Sequence, residues 1–247
     1  MLKTKVIIDK FLFIFLKLKI RIFQKIIFSF KNVEDRFTMI YYSNYWKDKE
    51  SSSGTGSNLK STKMILYRLP LILKKFKIKK IVDAPCGDFN WMSRLFMAKK
   101  NIHYIGIDIV QKIVDLNNSK YNSKYNKIFF IHKNIIIEKL PNADLLINRD
   151  FLFHLSYSDI FKFFKNFISS KTKFILVSGH NNKLPYKFKN YDIKTGDFRF
   201  LDLFSYPFFF KKNYLTSFFD KDFYDKTNSK MMYLYTRKQI KSFFPNY

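Results

Sequence analysis

Lys80-Ile81-Val82-Asp83-Ala84-Pro85-Cys86-Gly87-Asp88-Phe89-Asn90-Trp91-Met92 reads as a buried strand ending in an acid, a tight turn, and the opening of an amphipathic helix. Pro85 restricts one turn dihedral, and Gly87 lets the backbone approach a ligand closely. Further on, Tyr104-Ile105-Gly106-Ile107-Asp108 is a second strand that also ends in an acid. Two parallel strands, each tipped by a carboxylate, suit a ligand that carries hydroxyl and amine donors.

The pattern continues outward from this pair. Strands are expected near 80–84, 102–108, 127–132, 143–148 and 173–178, with helices near 88, 110–117 and 157–169 between them. Asp88 is the expected N-cap of the first of these helices. Upstream, Leu59, Ile65, Leu66, Leu69, Ile72, Leu73 and Phe76 line one helical face, and Pro70 should kink or split that helix. Helices alternating with buried strands imply a mostly parallel sheet with helices on both faces. Residues 214–219 and 231–235 break the rhythm. The polar gap between them is too short for a crossover helix, so they read as an antiparallel hairpin at the sheet edge.

The chain has 247 residues, enough for one α/β domain with an appendage, and 47% hydrophobic content marks it as globular. Its single cysteine, Cys86, excludes an internal disulfide and suits a reducing, cytoplasmic compartment. The four histidines are scattered without zinc spacing, so no metal is expected. Net charge is +27, which suits a polyanion partner but also reflects a general excess of lysine. Residues 1–31 carry eight Lys or Arg against one acid, Asp9. Their longest apolar run, Phe11 to Leu16, is six residues, whereas a spanning helix needs about 20. This segment is therefore expected to be a basic amphipathic appendage, either lying on the inner face of an anionic membrane or packed on the domain as an ordinary helix with solvated lysines, with residues 32–247 forming the main domain. Ser51-Ser52-Ser53-Gly54-Thr55-Gly56-Ser57 reads as an anion-binding nest or a linker.

Five parallel-type strands followed by an antiparallel pair, with acids ending the first two, resemble the class I S-adenosylmethionine-dependent methyltransferases. The segments 53–57, 83–88, 104–110, Asn148-Arg149-Asp150-Phe151-Leu152-Phe153-His154-Leu155 and Thr195-Gly196-Asp197-Phe198-Arg199 look like a bacterial branch of that superfamily. The first loop departs from the usual pattern in keeping one glycine, Gly87. The resemblance implies a Rossmann-like, seven-stranded sheet and S-adenosylmethionine as methyl donor. It implies a cofactor site in the loop Asp83, Ala84, Pro85, Cys86, Gly87 and Asp88, with Asp83 and Gly87 beside the methionine part. Asp108 would accept the ribose hydroxyls, Ile109 would pack on the adenine, and Asn134 would meet the adenine amine.

For the chemistry, Asp150 and His154 stand four apart, so one helical turn would put both on one face. His154 is then the expected general base, Asp150 its orienting partner or a substrate ligand, and Arg149 a substrate anchor that also borders the cofactor. The polar cluster Asp192, Thr195, Asp197, Arg199 and Asp202, followed by Pro207-Phe208-Phe209-Phe210, falls where such folds contact the acceptor. Asp197, Phe198 and Arg199 are the expected substrate contacts. The expected reaction is O-methylation of a small-molecule or saccharide-type acceptor. A nucleic-acid (RNA) methyltransferase is the alternative, disfavoured for adenine-N6 chemistry because Asn148-Arg149-Asp150-Phe151 lacks the paired prolines. A non-catalytic membrane-associated binding module is the other.

Overall fold

The computed structural model describes residues 22–98, 102–122, 127–182, 187–221 and 229–245. The basic N-terminal segment therefore lies mostly outside the described residues. Its described end forms a helix over 22–29 (α1), whose Ile27 is buried in the main core. Among the described residues no helix is long and apolar enough to cross a membrane.

The elements that follow are α2 (Val33–Tyr42), α3 (Lys63–Lys75), β1 (Lys80–Asp83), α4 (Asn90–Ala98), β2 (His103–Asp108), α5 (Gln111–Asn117) and β3 (Ile128–His132). After them come β4 (Leu145–Asn148), α6 (Tyr157–Ser169), β5 (Phe174–His180), β6 (Thr216–Lys221), β7 (Lys230–Thr236) and α7 (Arg237–Phe243). The seven strands form one sheet in the order β3-β2-β1-β4-β5-β7-β6. Strands β1 to β5 pair in parallel, and β7 runs antiparallel to both neighbours.

Strand periodicity divides the core in two. Ile81, Leu145 and Ile147 point to one face and pack with Leu69, Leu73 and Met92 of α3 and α4. Val82 and Leu146 point to the other, against Phe163, Phe164 and Phe167 of α6. The central strands β1, β4 and β5 are buried on both faces, which explains their near-continuous apolar runs.

The expected hairpin does close one edge of the sheet, with β7 inserted between β5 and β6, so that β6 and β3 are the two edge strands. Two local expectations need correction. Pro70 does not split its helix, because Leu69, Ile72 and Leu73 are buried on both sides of it and hold α3 together as one element. Residues 51–57 are not a linker. Asp88 accepts hydrogen bonds from the Ser52 amide (2.8 Å) and Ser51 Oγ (3.1 Å), which fasten this segment over the loop after β1. The helix α2 and the terminal α7 are elements that the periodicity does not announce.

The two halves of the sheet are joined by a buried ionic network. Arg149, just past β4, reaches Asp220 of β6 (Nε to Oδ2, 2.9 Å) and Asp150 (Nη1 to Oδ2, 3.3 Å). Lys230 of β7 pairs with Asp220 (3.0 Å) and with Asp150. Two cations and two anions leave no net charge. Removing one partner strands an uncompensated charge in the interior, whereas replacing a facing pair by apolar groups does not. Asp220→Ala is expected to lower the unfolding free energy by about 3–5 kcal/mol in urea titration. The double variant Arg149→Met/Asp220→Leu should lose clearly less than the sum of its single variants. Additive losses would contradict this picture.

Candidate active site

The strand order reverses between β1 and β4, so a crevice opens at the carboxyl ends of the strands. The loop after β1, the tip of β2, the turn after β4 and the serine segment meet there.

Asp83 at the tip of β1 is buried and accepts a hydrogen bond from Tyr104 Oη at 2.8 Å. Burial raises its carboxyl to about 7, outweighing the opposing pull of Tyr104 and of the Arg149 charge. Asp108 at the tip of β2 accepts the Gly87 amide on one oxygen and the Val110 amide on the other, both at 3.0 Å. Burial raises it to about 6 against these amides. Each Asp108 oxygen keeps a free lone pair, so the carboxylate can still receive a diol.

Gly87 has φ +55°, and a Cβ there would stand 2.1 Å from Ser53 Oγ. The space glycine leaves is thus used by the serine segment as well as by the crevice. At Gly56 a Cβ would meet Asp150 Oδ2 at 2.3 Å, and the Gly56 carbonyl accepts from Arg149 Nη2 at 2.8 Å. Both glycines are needed for the segment to close over the strand tips.

Three connected hollows result. The first encloses about 780 Å³, mouth included, and is bordered by Asp83, Gly87, Asp108, Ile109, Asp150 and His154. A narrower slot of about 260 Å³ continues from Asp108 and Ile109 to Asn134, Ile135 and Ile136, with Phe37 of α2 closing it. The third, about 900 Å³, shares Trp46, Ser53, Asp150 and His154 with the first and is walled by Phe153, His180, Phe198 and Phe200.

His154 stands on the partition between the first and third hollows. It ends a single 3-10 turn, Leu152–His154. Its Nδ1 lies 2.8 Å from the Asp197 carbonyl oxygen, which can only accept, so Nδ1 carries the proton and Nε2 keeps a lone pair. Burial lowers its pKa below the usual histidine range, and the ring is neutral at pH 7. The short turn explains why the expected Asp150–His154 pairing gives way. Asp150 has φ +55° and turns its carboxylate onto Arg149 and Lys230. Burial opposes ionisation of Asp150, but these two cations outweigh it and hold the carboxyl well below the usual range. The imidazole is instead oriented by the 195–199 loop. Besides the Asp197 carbonyl, the Gly196 amide donates to the His154 carbonyl (2.7 Å), and Arg199 Nη1 donates to the Leu155 carbonyl (2.6 Å).

The crevice brings together Asp83, Pro85, Cys86, Gly87, Asp108, Ile109, Arg149, Asp150 and His154, and Asn134 borders the slot. Asn134 Oδ1 is used as a turn acceptor for the Ile136 amide (3.0 Å). Ala84 is buried behind the loop, where its carbonyl accepts from Asn148 Nδ2 at 2.6 Å. Asp88 is diverted to the serine segment rather than to the crevice, although its Oδ1 also accepts the Asn90 amide (3.3 Å) as a cap would. Arg149 is consumed by the ionic network, which corrects its expected role as a free substrate anchor. Of the expected substrate contacts only Phe198 walls the third hollow. The Arg199 side chain is fully buried as a brace, and Asp197 acts through its backbone carbonyl. Phe208 and Phe210 are likewise buried, packing on Phe161, Phe164 and Phe244 instead of lining a hollow. The Cys86 thiol is buried and pushed well above its usual value, which leaves it inert as a nucleophile. Trp46, Ser53, His180 and Lys230 join the site with little local sequence signal. For His180 that signal is a histidine ending a strand after Ser178-Gly179. Among the described residues no group of three or more His, Cys, Asp or Glu is arranged to hold a metal ion.

No protein-family model and no curated protein matches this chain. Solved structures do. The N-methyltransferase NodS from Bradyrhizobium japonicum WM9, in complex with S-adenosyl-l-homocysteine, aligns with a TM-score of 0.58 at 8% identity, covering 79% of this chain and 97% of that one. Magnesium protoporphyrin IX methyltransferase (ChlM) from Synechocystis PCC 6803, with bound SAH, gives 0.55 at 11% identity, covering 83% and 100%. The methyltransferase domain of bacterial CtHen1 gives 0.54 at 18% identity, covering 72% and 98%. The chain has the Rossmann-like class I methyltransferase fold.

Asp83 has a consequence for stability. Between 3.8 and about 7 the folded protein retains a proton that the unfolded chain has released, so ionising the buried carboxyl destabilises the fold as pH rises through that window. Asp83→Asn keeps an acceptor for Tyr104 and removes this penalty. It is expected to raise Tm by roughly 3–6 °C at pH 8 and hardly at all at pH 4 in thermal denaturation. Equal shifts at both pH values would refute the assignment.

Proposed function

We propose that this protein is an S-adenosylmethionine-dependent methyltransferase that methylates a hydroxyl group of a small-molecule or saccharide-type acceptor. The observation that carries this reading is the neutral His154, with its lone pair on Nε2, standing between a carboxylate-tipped nucleoside-sized crevice and a separate aromatic hollow.

The residues present fit the methyl donor. Asp108 offers paired lone pairs to a vicinal diol. The slot beyond Ile109 is apolar and narrow enough for a planar base, with the Asn134–Ile136 turn at its end. Asp83, deep in the first hollow, supplies negative charge for an ammonium or sulfonium group. The bound donor supplies a methyl group whose bond to sulfur breaks, the electron pair staying on sulfur, as the acceptor oxygen bonds to carbon and its proton passes to His154 Nε2.

The protein's own tasks are then alignment and proton removal. The ring of Trp46 packs tilted against His154 at 5.2 Å between centroids, and that of Phe198 at 5.7 Å, so both rings hold the imidazole in place and shield it from water. The Asp197 carbonyl fixes the tautomer and stabilises the imidazolium that forms. The structural neighbours include an N-methyltransferase and a magnesium protoporphyrin IX methyltransferase, so they do not point to one acceptor, and the acceptor here is inferred from the hollow itself. The alternative reading, a nucleic-acid methyltransferase, draws on the net charge of +27 and predicts methyl incorporation into RNA with steep salt dependence.

Two variants test the assignment together. By titration calorimetry with S-adenosylhomocysteine, Asp108→Ala should weaken binding by about 100-fold or more, since a charge-assisted bidentate contact is lost. His154→Gln should bind it as wild type does. In transfer assays with radiolabelled S-adenosylmethionine and fractionated extracts, His154→Gln should lower turnover by roughly 100-fold or more. Wild-type turnover in that variant would remove His154 as the base.

The donor site should also respond to pH. A cationic donor binds the ionised form of Asp83, so its affinity should rise as pH increases through about 7. Calorimetry between pH 5.5 and 8 should show a roughly tenfold gain, smaller in Asp83→Asn, where Asp108 still titrates at the acid end of this range. A pH-independent affinity in the wild type would contradict a contact with Asp83.

A further inference from the structure

The third hollow holds a second imidazole that the proposed chemistry leaves unused. His180, the last residue of β5, is buried on its wall. Its Nδ1 accepts the Leu201 amide at 3.1 Å, so in the neutral ring the proton sits on Nε2. Burial, with the Lys230 charge next, pushes its pKa down to about 3, so the ring stays neutral. What His180 can offer the hollow is therefore an N–H donor, whereas His154 offers a lone pair. The two imidazoles are bracketed by the same rings. Phe153 lies 4.8 Å from His154 and 5.0 Å from His180, and Phe198 lies 5.7 Å and 6.2 Å from them.

Charge restricts what enters. Asp150 and Lys230 are the charged side chains on this wall among the described residues, and they pair with each other. Lys230 is further held by Asp220 and Asp150 by Arg149. The wall therefore presents no uncompensated cation to a phosphate or carboxylate, in spite of the strongly basic chain.

Resting on the methyltransferase reading, the geometry points to His180 as an acceptor-binding residue that selects an uncharged ring bearing two neighbouring oxygens. One hydroxyl donates to His154 Nε2 and is methylated. The adjacent oxygen accepts from His180 Nε2–H. The ring face lies on the aromatic wall. A pyranoside and a catechol share this chemistry. A ring lacking the second oxygen leaves the buried His180 donor unpaired, which is the strong form of discrimination.

The test pairs two substitutions with two sets of probes. His180→Asn keeps an oxygen near the Nδ1 position for the Leu201 amide but has nothing at Nε2. His180→Gln restores a donor at the Nε2 position. Neutral methyl pyranosides and catechols are each assayed beside their monodeoxy counterparts, with radiolabelled S-adenosylmethionine. Binding of S-adenosylhomocysteine, measured by calorimetry, should be equal in wild type and both variants. The wild type should favour the diol over its monodeoxy partner by about 10- to 100-fold in kcat/KM. In His180→Asn that ratio should fall to about one, and in His180→Gln a clear preference should persist. Whichever probe set is methylated identifies the source of the diol. The inference is overturned if His180→Asn keeps the wild-type ratio or both variants lose it alike. It is also overturned if the wild type shows no preference, or if no neutral diol is methylated while S-adenosylhomocysteine still binds. Failure of the wild type to bind S-adenosylhomocysteine would instead bring down the methyltransferase reading itself.

Discussion

The buried ionic cluster of Arg149, Asp150, Asp220 and Lys230 is the contact on which the arrangement of the crevice depends. It ties the turn after β4 to the two C-terminal strands and, through Gly56, to the serine segment. Each charge is tolerable in the interior because its partners are within about 3 Å and the set is neutral. Asp150 adopts a left-handed backbone conformation within this cluster, which aims its carboxylate at the cations and leaves His154 free to face the other way. A cluster of this kind adds little net stability compared with apolar packing, but it specifies one arrangement of four chain segments.

Around that anchor the site divides labour by protonation. The two strand-tip carboxyls are pushed upward by burial, to about 7 and about 6, so their charged forms are less favoured than those of exposed carboxylates. The two imidazoles are pushed the other way, and the hydrogen bonds at Nδ1 leave a lone pair on Nε2 of His154 and a proton on Nε2 of His180. Under the proposed function, a charged nucleoside would lie on the carboxyl side and an uncharged acceptor on the imidazole side.

The sheet is legible in the sequence because its central strands are buried on both faces. Ile81-Val82, Ile105 to Ile107, Leu145 to Ile147 and Ile175 to Val177 leave one architecture open, a parallel sheet with helices on each side. Asp83, Gly87 and Asp108 are equally legible, since an acid at a strand tip followed by a turn is a local pattern. The position of β7 is not, because strand insertion is decided by pairing across roughly fifty residues of chain between β5 and β7. Arg199 and Phe208 resemble acceptor contacts in the sequence because polar and aromatic residues in a long loop carry no mark of which way they face. Burial of Arg199 against Leu155 and of Phe208 against α6 emerges once the loop is folded back.

Local pattern is enough for the fold class, the two carboxylate-tipped strands and the candidate base, because each rests on residues within one or two neighbouring elements. Which partners those residues keep is a matter of the folded chain. Asp150 turns to Lys230, eighty residues away, and His154 to the carbonyl of Asp197, forty-three residues away. Hydrogen bonds and ion pairs are settled by distances of a few ångströms, and no stretch of neighbouring residues records which distant segment will arrive within that range.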